Sequence, residues 1–212
     1  MKFLTDQFQE VQIENGGRRP WLFPDLRADM RAKAVWYYGA QRQGRLDGLR
    51  MLMSDGSLCT VLYRLMRALR RMHLGPLAAA VYKLNAFLTR AVIGRGAEFG
   101  PGLIILHSVG VIVNTAVRGG ENVILEGGVT LGAEKKQSPT LGDNVFIGGG
   151  AKVIGGVRLG NGARIGANAV VVEDVPEGAT AVGIPARVVR VRGGEHSDSP
   201  PRHQGTKDGE SG

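Results

Sequence analysis

The chain has 212 residues, enough for one large domain or for a domain with a small appendage. Apolar residues make up 43% and charged residues 22%, a globular balance that excludes a wholly disordered chain. The net charge of +8 is unevenly spread: thirteen Lys or Arg against three Asp fall between Arg27 and Arg95, a balance of +10, so the remainder is close to neutral.

The opening MKFLTDQFQEVQIENGG lacks an apolar run of signal-peptide length, and the longest apolar stretch, Leu74 to Val92, is broken by Lys83 and Arg90. No membrane span is expected. A single cysteine, Cys59, excludes an internal disulfide and a four-cysteine zinc site, and fits a reducing, cytoplasmic setting.

Residues 1–23 are polar and are expected to be a flexible N-terminus. Residues 24–92 read as an α-helical domain. Asp25 can cap a helix with Leu26, Met30 and Tyr37 on one face. Ser54 or Asp55 can cap the next, which carries Leu58, Leu62, Leu65, Leu69 and Met72 at intervals of three and four and shows Arg64, Arg67, Arg70 and Arg71 outward. Gly75-Pro76 ends it, and a third helix from about Leu77 to Arg90 turns Leu77, Val81, Leu84 and Leu88 inward. The basic segment could lie on solvated helix faces, or could meet a membrane surface, nucleic acid, an anionic glycan or a phosphate-bearing cofactor. It lacks the interleaved aromatic residues of a base-stacking surface, so nucleic acid is set aside.

From Ile93 onward, steps of six land on Ile93, Phe99, Ile105, Val111, Val117, Val123, Val129, Lys135, Leu141, Ile147, Val153, Leu159, Ile165 and Val171. All but Lys135 are large and apolar. Glycine often follows, and small or β-branched residues such as Ala97, Ala151 and Ala163 stand four later. A period of six fits neither a helix nor simple strand alternation. It fits a short strand and a bend, three of which make one triangular coil of a parallel β-solenoid. Residues 93–192 then form between four and five coils. AEKKQSP around Lys135 reads as a loop that leaves the prism without disturbing the count. The helices and the closing GIPARVVRV are candidate caps for the open ends. Residues 193–212 contain no Val, Ile, Leu or aromatic residue and are expected to be a disordered tail.

From about Tyr63 to Arg190 the chain resembles the serine acetyltransferase group of hexapeptide-repeat acyltransferases. The resemblance rests on AVIGRG, HSVGVIVN at 107–114, GGVTLG at 127–132, IGGGAKVIGGV at 147–157 and VGIPAR at 182–187. It implies a mainly β fold, a left-handed parallel β-helix behind an N-terminal α-helical domain, and a homotrimer. It also implies acetyl transfer from acetyl-CoA to a hydroxyl, with His107 as general base and no metal. An imidazole suits that task, since its ordinary pKa near ~6.5 leaves free base at neutral pH. A zinc solenoid would need three converging histidines, and His107 is the one histidine inside the repeat. The matched donor-side residues are Ala133, Gly149 and Ala167 for the pantetheine, with Lys152, Arg164 and Arg187 as partners for the CoA phosphates.

The acceptor side departs from the family pattern. Leu106 stands where an acid usually precedes the histidine, Val92 where another acid orients it, and Gln137 and Ser138 where an Arg-His pair meets the amino acid. The acid that the family's N-terminal domain contributes finds no match either. A free amino acid brings two charges that are costly to desolvate unpaired. The expectation is therefore a sugar or polysaccharide hydroxyl, with L-serine in cysteine biosynthesis as the alternative. A non-catalytic scaffold is a further one. A main-chain carbonyl or an acid from another loop, Glu126 being a candidate, is expected to orient His107.

Overall fold

The computed structural model describes residues 23–39 and 47–191, so the expectations for the N-terminal segment before Phe23 and for the tail after 192 lie outside the described residues. Among the described residues, four helices, α1 (Phe23–Tyr38), α2 (Asp47–Leu52), α3 (Ser57–Arg71) and α4 (Gly75–Thr89), precede fifteen short strands: β1 (Val92–Ile93), β2 (Glu98–Phe99), β3 (Ile104–Ile105), β4 (Ile112–Val113), β5 (Arg118–Gly119), β6 (Ile124–Leu125), β7 (Thr130–Gly132), β8 (Thr140–Leu141), β9 (Phe146–Ile147), β10 (Lys152–Ile154), β11 (Arg158–Leu159), β12 (Arg164–Ile165), β13 (Val170–Val171), β14 (Ala179–Gly183) and β15 (Ala186–Val191). No helix among the described residues is long and apolar enough to cross a membrane.

The strands stack in three parallel sheets, β1-β4-β7-β10-β13, β2-β5-β8-β11 and β3-β6-β9-β12-β14, which form the three walls of a prism. The apolar residues found by steps of six are buried, from Ile93 and Phe99 to Ile165 and Val171, while Lys135 is exposed. The solenoid follows from the sequence, but its register corrects the count. Pairing runs Val92↔Ile112, Ile112↔Thr130, Thr130↔Lys152 and Lys152↔Val170, giving coils of 20, 18, 22 and 18 residues. Two extra residues sit in the corner between β3 (Ile104–Ile105) and β4 (Ile112–Val113), where His107 stands, and four sit in the 133–139 loop. Together they restore the phase, so AEKKQSP alone does shift it. The slip was invisible because Val111, Val117, Val123 and Val129 occupy the second inward position of each unit and are fully buried too.

An open coil leaves main-chain groups without strand partners. At the C-terminal end, β14 (Ala179–Gly183) and β15 form an antiparallel hairpin, so GIPARVVRV closes the prism as expected. At the other end the helices supply polar side chains. Arg64 and Arg67 donate to the Phe99 carbonyl at 2.9 and 3.0 Å, Arg64 to Gly100 O at 2.6 Å, and Tyr63 Oη to Ala97 O at 3.1 Å. The Leu103 N–H donates to Asp29 at 2.8 Å. Arg64, Arg67, Arg70 and Lys33 of the basic segment are thus spent on carbonyls of the first coil.

Three helical expectations are corrected by this docking. Arg64 is buried rather than outward, because its guanidinium grips Asp29 through Nε and Nη2 at 2.7 and 2.8 Å. Tyr37 faces out, since α1 presents Ala32 and Val35 to Ile104, Leu106 and Ile124. In α4 the buried stripe is Ala78, Val81, Asn85 and Thr89, while Leu77, Leu84 and Leu88 are about half exposed. Both stripes have helical spacing, and the close approach of α3 selects the one with smaller side chains. Leu58 of α3 and Met72 at its C-cap are also exposed, and Gly75-Pro76 opens α4 rather than ending α3.

Candidate active site

His107 lies in the enlarged corner, where the chain passes from the third wall to the first. The corner rides over Gly127: a Cβ on that glycine would stand 3.2 Å from His107 Cβ and 3.6 Å from Val109 O. The parallel register Ile105↔Leu125↔Ile147↔Ile165 carries the alignment onward, so His107, Gly127, Gly149 and Ala167 follow one another along one edge. That column presents almost no side-chain bulk beyond the imidazole. Lys152 begins β10 beside it and donates from Nζ to Gly128 O at 2.8 Å.

The imidazole has a carboxylate partner that the sequence reading did not find. Asp55, in the turn between α2 and α3, places Oδ2 2.7 Å from His107 Nδ1. Ser54 or Asp55 was expected to cap α3, but the N-cap is Gly56 with φ 75°, and no side chain caps that helix. Instead the Gly56 N–H donates to Asp55 Oδ1 at 2.9 Å, which aims the other oxygen at the histidine. The His107 hydrogen bond holds the Asp55 carboxyl below its ordinary value; burial opposes it, and the Gly56 N–H and the charges of His107 and Lys33 add to the lowering. An ionised carboxylate can only accept, so Nδ1 carries a ring proton, and in the neutral imidazole the free lone pair is on Nε2. The pair spans 52 positions in sequence, so no local motif could reveal it.

Glu126 is not the orienting acid, since its Oε2 accepts from the Gly149 N–H at 2.7 Å. Val92 and Leu106 sit where the sequence put them, and Leu106 packs beneath α1. Ala133, Gln137 and Ser138 belong to the corner between the first and second walls, a different edge of the prism from His107. Ser138 Oγ there is 3.0 Å from Asn114 Oδ1. Arg164 lies on the third wall with its guanidinium 5.3 Å from the Phe146 ring centre, and Arg187 in the closing hairpin pairs with Glu173 at 3.1 Å. One chain therefore brings Gly149, Ala167 and Lys152 to the histidine's edge, but not Ala133, Arg164 or Arg187. Arg67, Arg70, Arg71, Arg95 and Glu98 line a separate concavity of about 140 Å³.

A triangular parallel solenoid with a polar pair on a bare edge defines a class, the hexapeptide-repeat transferases. The family description "Bacterial transferase hexapeptide (six repeats)" matches residues 138–172. The serine acetyltransferase of Helicobacter pylori strain J99 is 41% identical over 143 residues, which cover 66% of this chain and 84% of that one. The soybean serine acetyltransferase apoenzyme superposes with a TM-score of 0.71 at 34% identity, over 81% of this chain and 70% of that one. A serine acetyltransferase in complex with CoA gives 0.72 at 28% identity, over 89% and 74%. The chain belongs to the serine acetyltransferase family, and its fold is the left-handed parallel β-helix of those acyltransferases. It is an acyltransferase.

Proposed function

We propose that the protein transfers an acetyl group from acetyl-CoA to an acceptor hydroxyl, with His107 as general base and Asp55 as the residue that orients it. The observation that carries this reading is the Asp55–His107 contact of 2.7 Å at the head of the Gly127–Gly149–Ala167 edge. His107 Nε2 takes the hydroxyl proton as the acceptor oxygen attacks the thioester carbonyl. The new C–O bond replaces the C–S bond, and the proton passes from Nε2 to the departing thiolate. Asp55 keeps Nδ1 protonated throughout and stabilises the imidazolium.

Small residues along the edge let an extended pantetheine approach the main chain, so Gly149 and Ala167 fit the donor. Lys152 stands where its ammonium can reach a phosphate. Ala133 and the 133–139 loop lie on another edge, so a site that includes them needs a second copy of the chain. A homotrimer of prisms supplies that neighbour. Arg164 and Arg187 are proposed as phosphate partners only on the faces that such packing brings together.

The names of the relatives favour L-serine as acceptor. Two features fit a zwitterion: the Asp55 charge beside His107, and exposed Lys135 and Lys136 in the loop. A neutral sugar hydroxyl is the second reading, favoured by Gln137 and Ser138, which can hydrogen bond but carry no charge. Thiol release from acetyl-CoA across an acceptor panel decides between them. A kcat/KM for L-serine at or above ~10⁴ M⁻¹s⁻¹ establishes serine. Turnover with glycan hydroxyls and not with serine establishes the second reading, and no turnover with any acceptor removes the enzymatic assignment.

A further inference from the structure

Beneath the Asp55–His107 pair lies a buried lysine to which the proposed chemistry gives no part. Lys33, on α1, is 1% exposed. Its Nζ donates to the main-chain carbonyl of Asp55, to Ser57 Oγ at 3.0 Å and to the Ile105 carbonyl at 3.0 Å. Three donors meet three oxygens, so the ammonium is satisfied. Ser57 Oγ lies 2.9 Å from Ser54 Oγ, which donates to Met51 O at 2.8 Å. One nitrogen thus gathers α1, the Asp55 turn and the end of β3.

We propose that Lys33 is a positioning residue for the Asp55–His107 pair, because it ties the main chain of Asp55 to that of Ile105, two residues before His107. The proposal rests on the reading of His107 as the base. The two side chains of the pair are 60% and 63% exposed, so packing around them does not hold their contact. Its geometry has to come from the main chains below. β3 is the outermost strand of its wall, so the Ile105 carbonyl has no strand partner on that side. Lys33 takes that oxygen and the Asp55 carbonyl together. Gly56 allows the fit: a Cβ there would stand 2.1 Å from Ile105 O.

Burial of an ammonium is costly, and an apolar residue of the same length would fill the space. That substitute would leave two carbonyls and a hydroxyl without their donor, and the Asp55 turn free to drift from β3. Burial lowers the Lys33 pKa to about 8, partly offset by the Asp55 charge. A misplacement of about 1 Å at a catalytic group costs up to ~100-fold in rate.

The test compares Lys33→Met, Asp55→Asn, the double variant and His107→Ala in the full chain. Arg67→Met serves as the control, since Arg67 also caps the first coil but touches neither member of the pair. Lys33→Met is expected to lose up to ~30-fold in kcat, no more than Asp55→Asn, with KM for acetyl-CoA within about twofold. The double variant should be no slower than Asp55→Asn alone, because both changes act through one carboxylate. Arg67→Met should keep its kcat while melting earlier. If Lys33→Met does not fold, Lys33→Gln, which keeps a shorter polar head, is expected to show the same split. A kcat within twofold of the parent in the folded Lys33 variant, or losses that multiply in the double variant, overturns the proposal and leaves Lys33 a cap like Arg67. Normal turnover in His107→Ala instead overturns the assignment of the base.

Discussion

Replacing Asp55 by Asn probes the site with little change of shape. The amide keeps an oxygen that can accept the Gly56 N–H, now at 2.9 Å, but loses the charge that faces His107 Nδ1 at 2.7 Å. If the NH₂ turns to the imidazole, it favours the tautomer protonated on Nε2 and blocks the base. A hydrogen bond to a charged group contributes about 1.5–3 kcal/mol, and each 1.36 kcal/mol is about tenfold in rate. With the pair 60% and 63% exposed, solvent screening places the loss at the low end. The expected fall in kcat is about tenfold to thirtyfold. The assay is thiol release at saturating acetyl-CoA and acceptor, with a melting curve beside it. KM for acetyl-CoA should barely move, and stability should fall only modestly, since Asp55 lies on the surface turn. A kcat within twofold of the parent would refute the orienting role and leave the contact as a surface ion pair.

His107→Ala should lose at least ~100-fold in kcat, the lower range for a general base, with little change in CoA affinity by calorimetry. Asp29→Ala strands the buried Arg64 charge and should destabilise by about 3–5 kcal/mol, lowering the melting temperature by roughly 6–20 °C. The Asp55 carboxyl sits below its unfolded value of 3.8, so its contribution to stability is present above that value and lost as pH falls through the folded one. Urea midpoints of the parent and Asp55→Asn should therefore converge as the pH drops below about 4. Lys33 titrates near 8 in the fold against 10.5 for the free group, so the unfolded chain binds more protons between them. The parent should gain stability relative to Lys33→Met as pH rises from 8 to 10.5, a gain that urea titrations at several pH values would reveal.

The repeat was legible because the prism imposes one local rule on every unit: an inward apolar residue, a small companion and a corner. That rule acts within six residues, so the local order of residues carries it, and it also delivers His107 to a corner and Gly149 and Ala167 to small-residue positions. The enlarged corner around His107 left a trace too, as a two-residue slip that the valines at 111, 117, 123 and 129 masked by being buried themselves. The helices were legible as helices but not in their facing, since α4 carries two stripes of equal spacing and only contact with α3 chooses between them. Asp55 and Lys33 were not legible at all. Each reads as an ordinary helix-cap or surface residue, and each gains its meaning from oxygen and nitrogen atoms that folding brings together from 52 and 72 positions away. Sequence periodicity fixes what each residue does for its own coil. The polar contacts that complete the site depend on how the helical layer docks on the open end of the solenoid, and only the tertiary structure decides that.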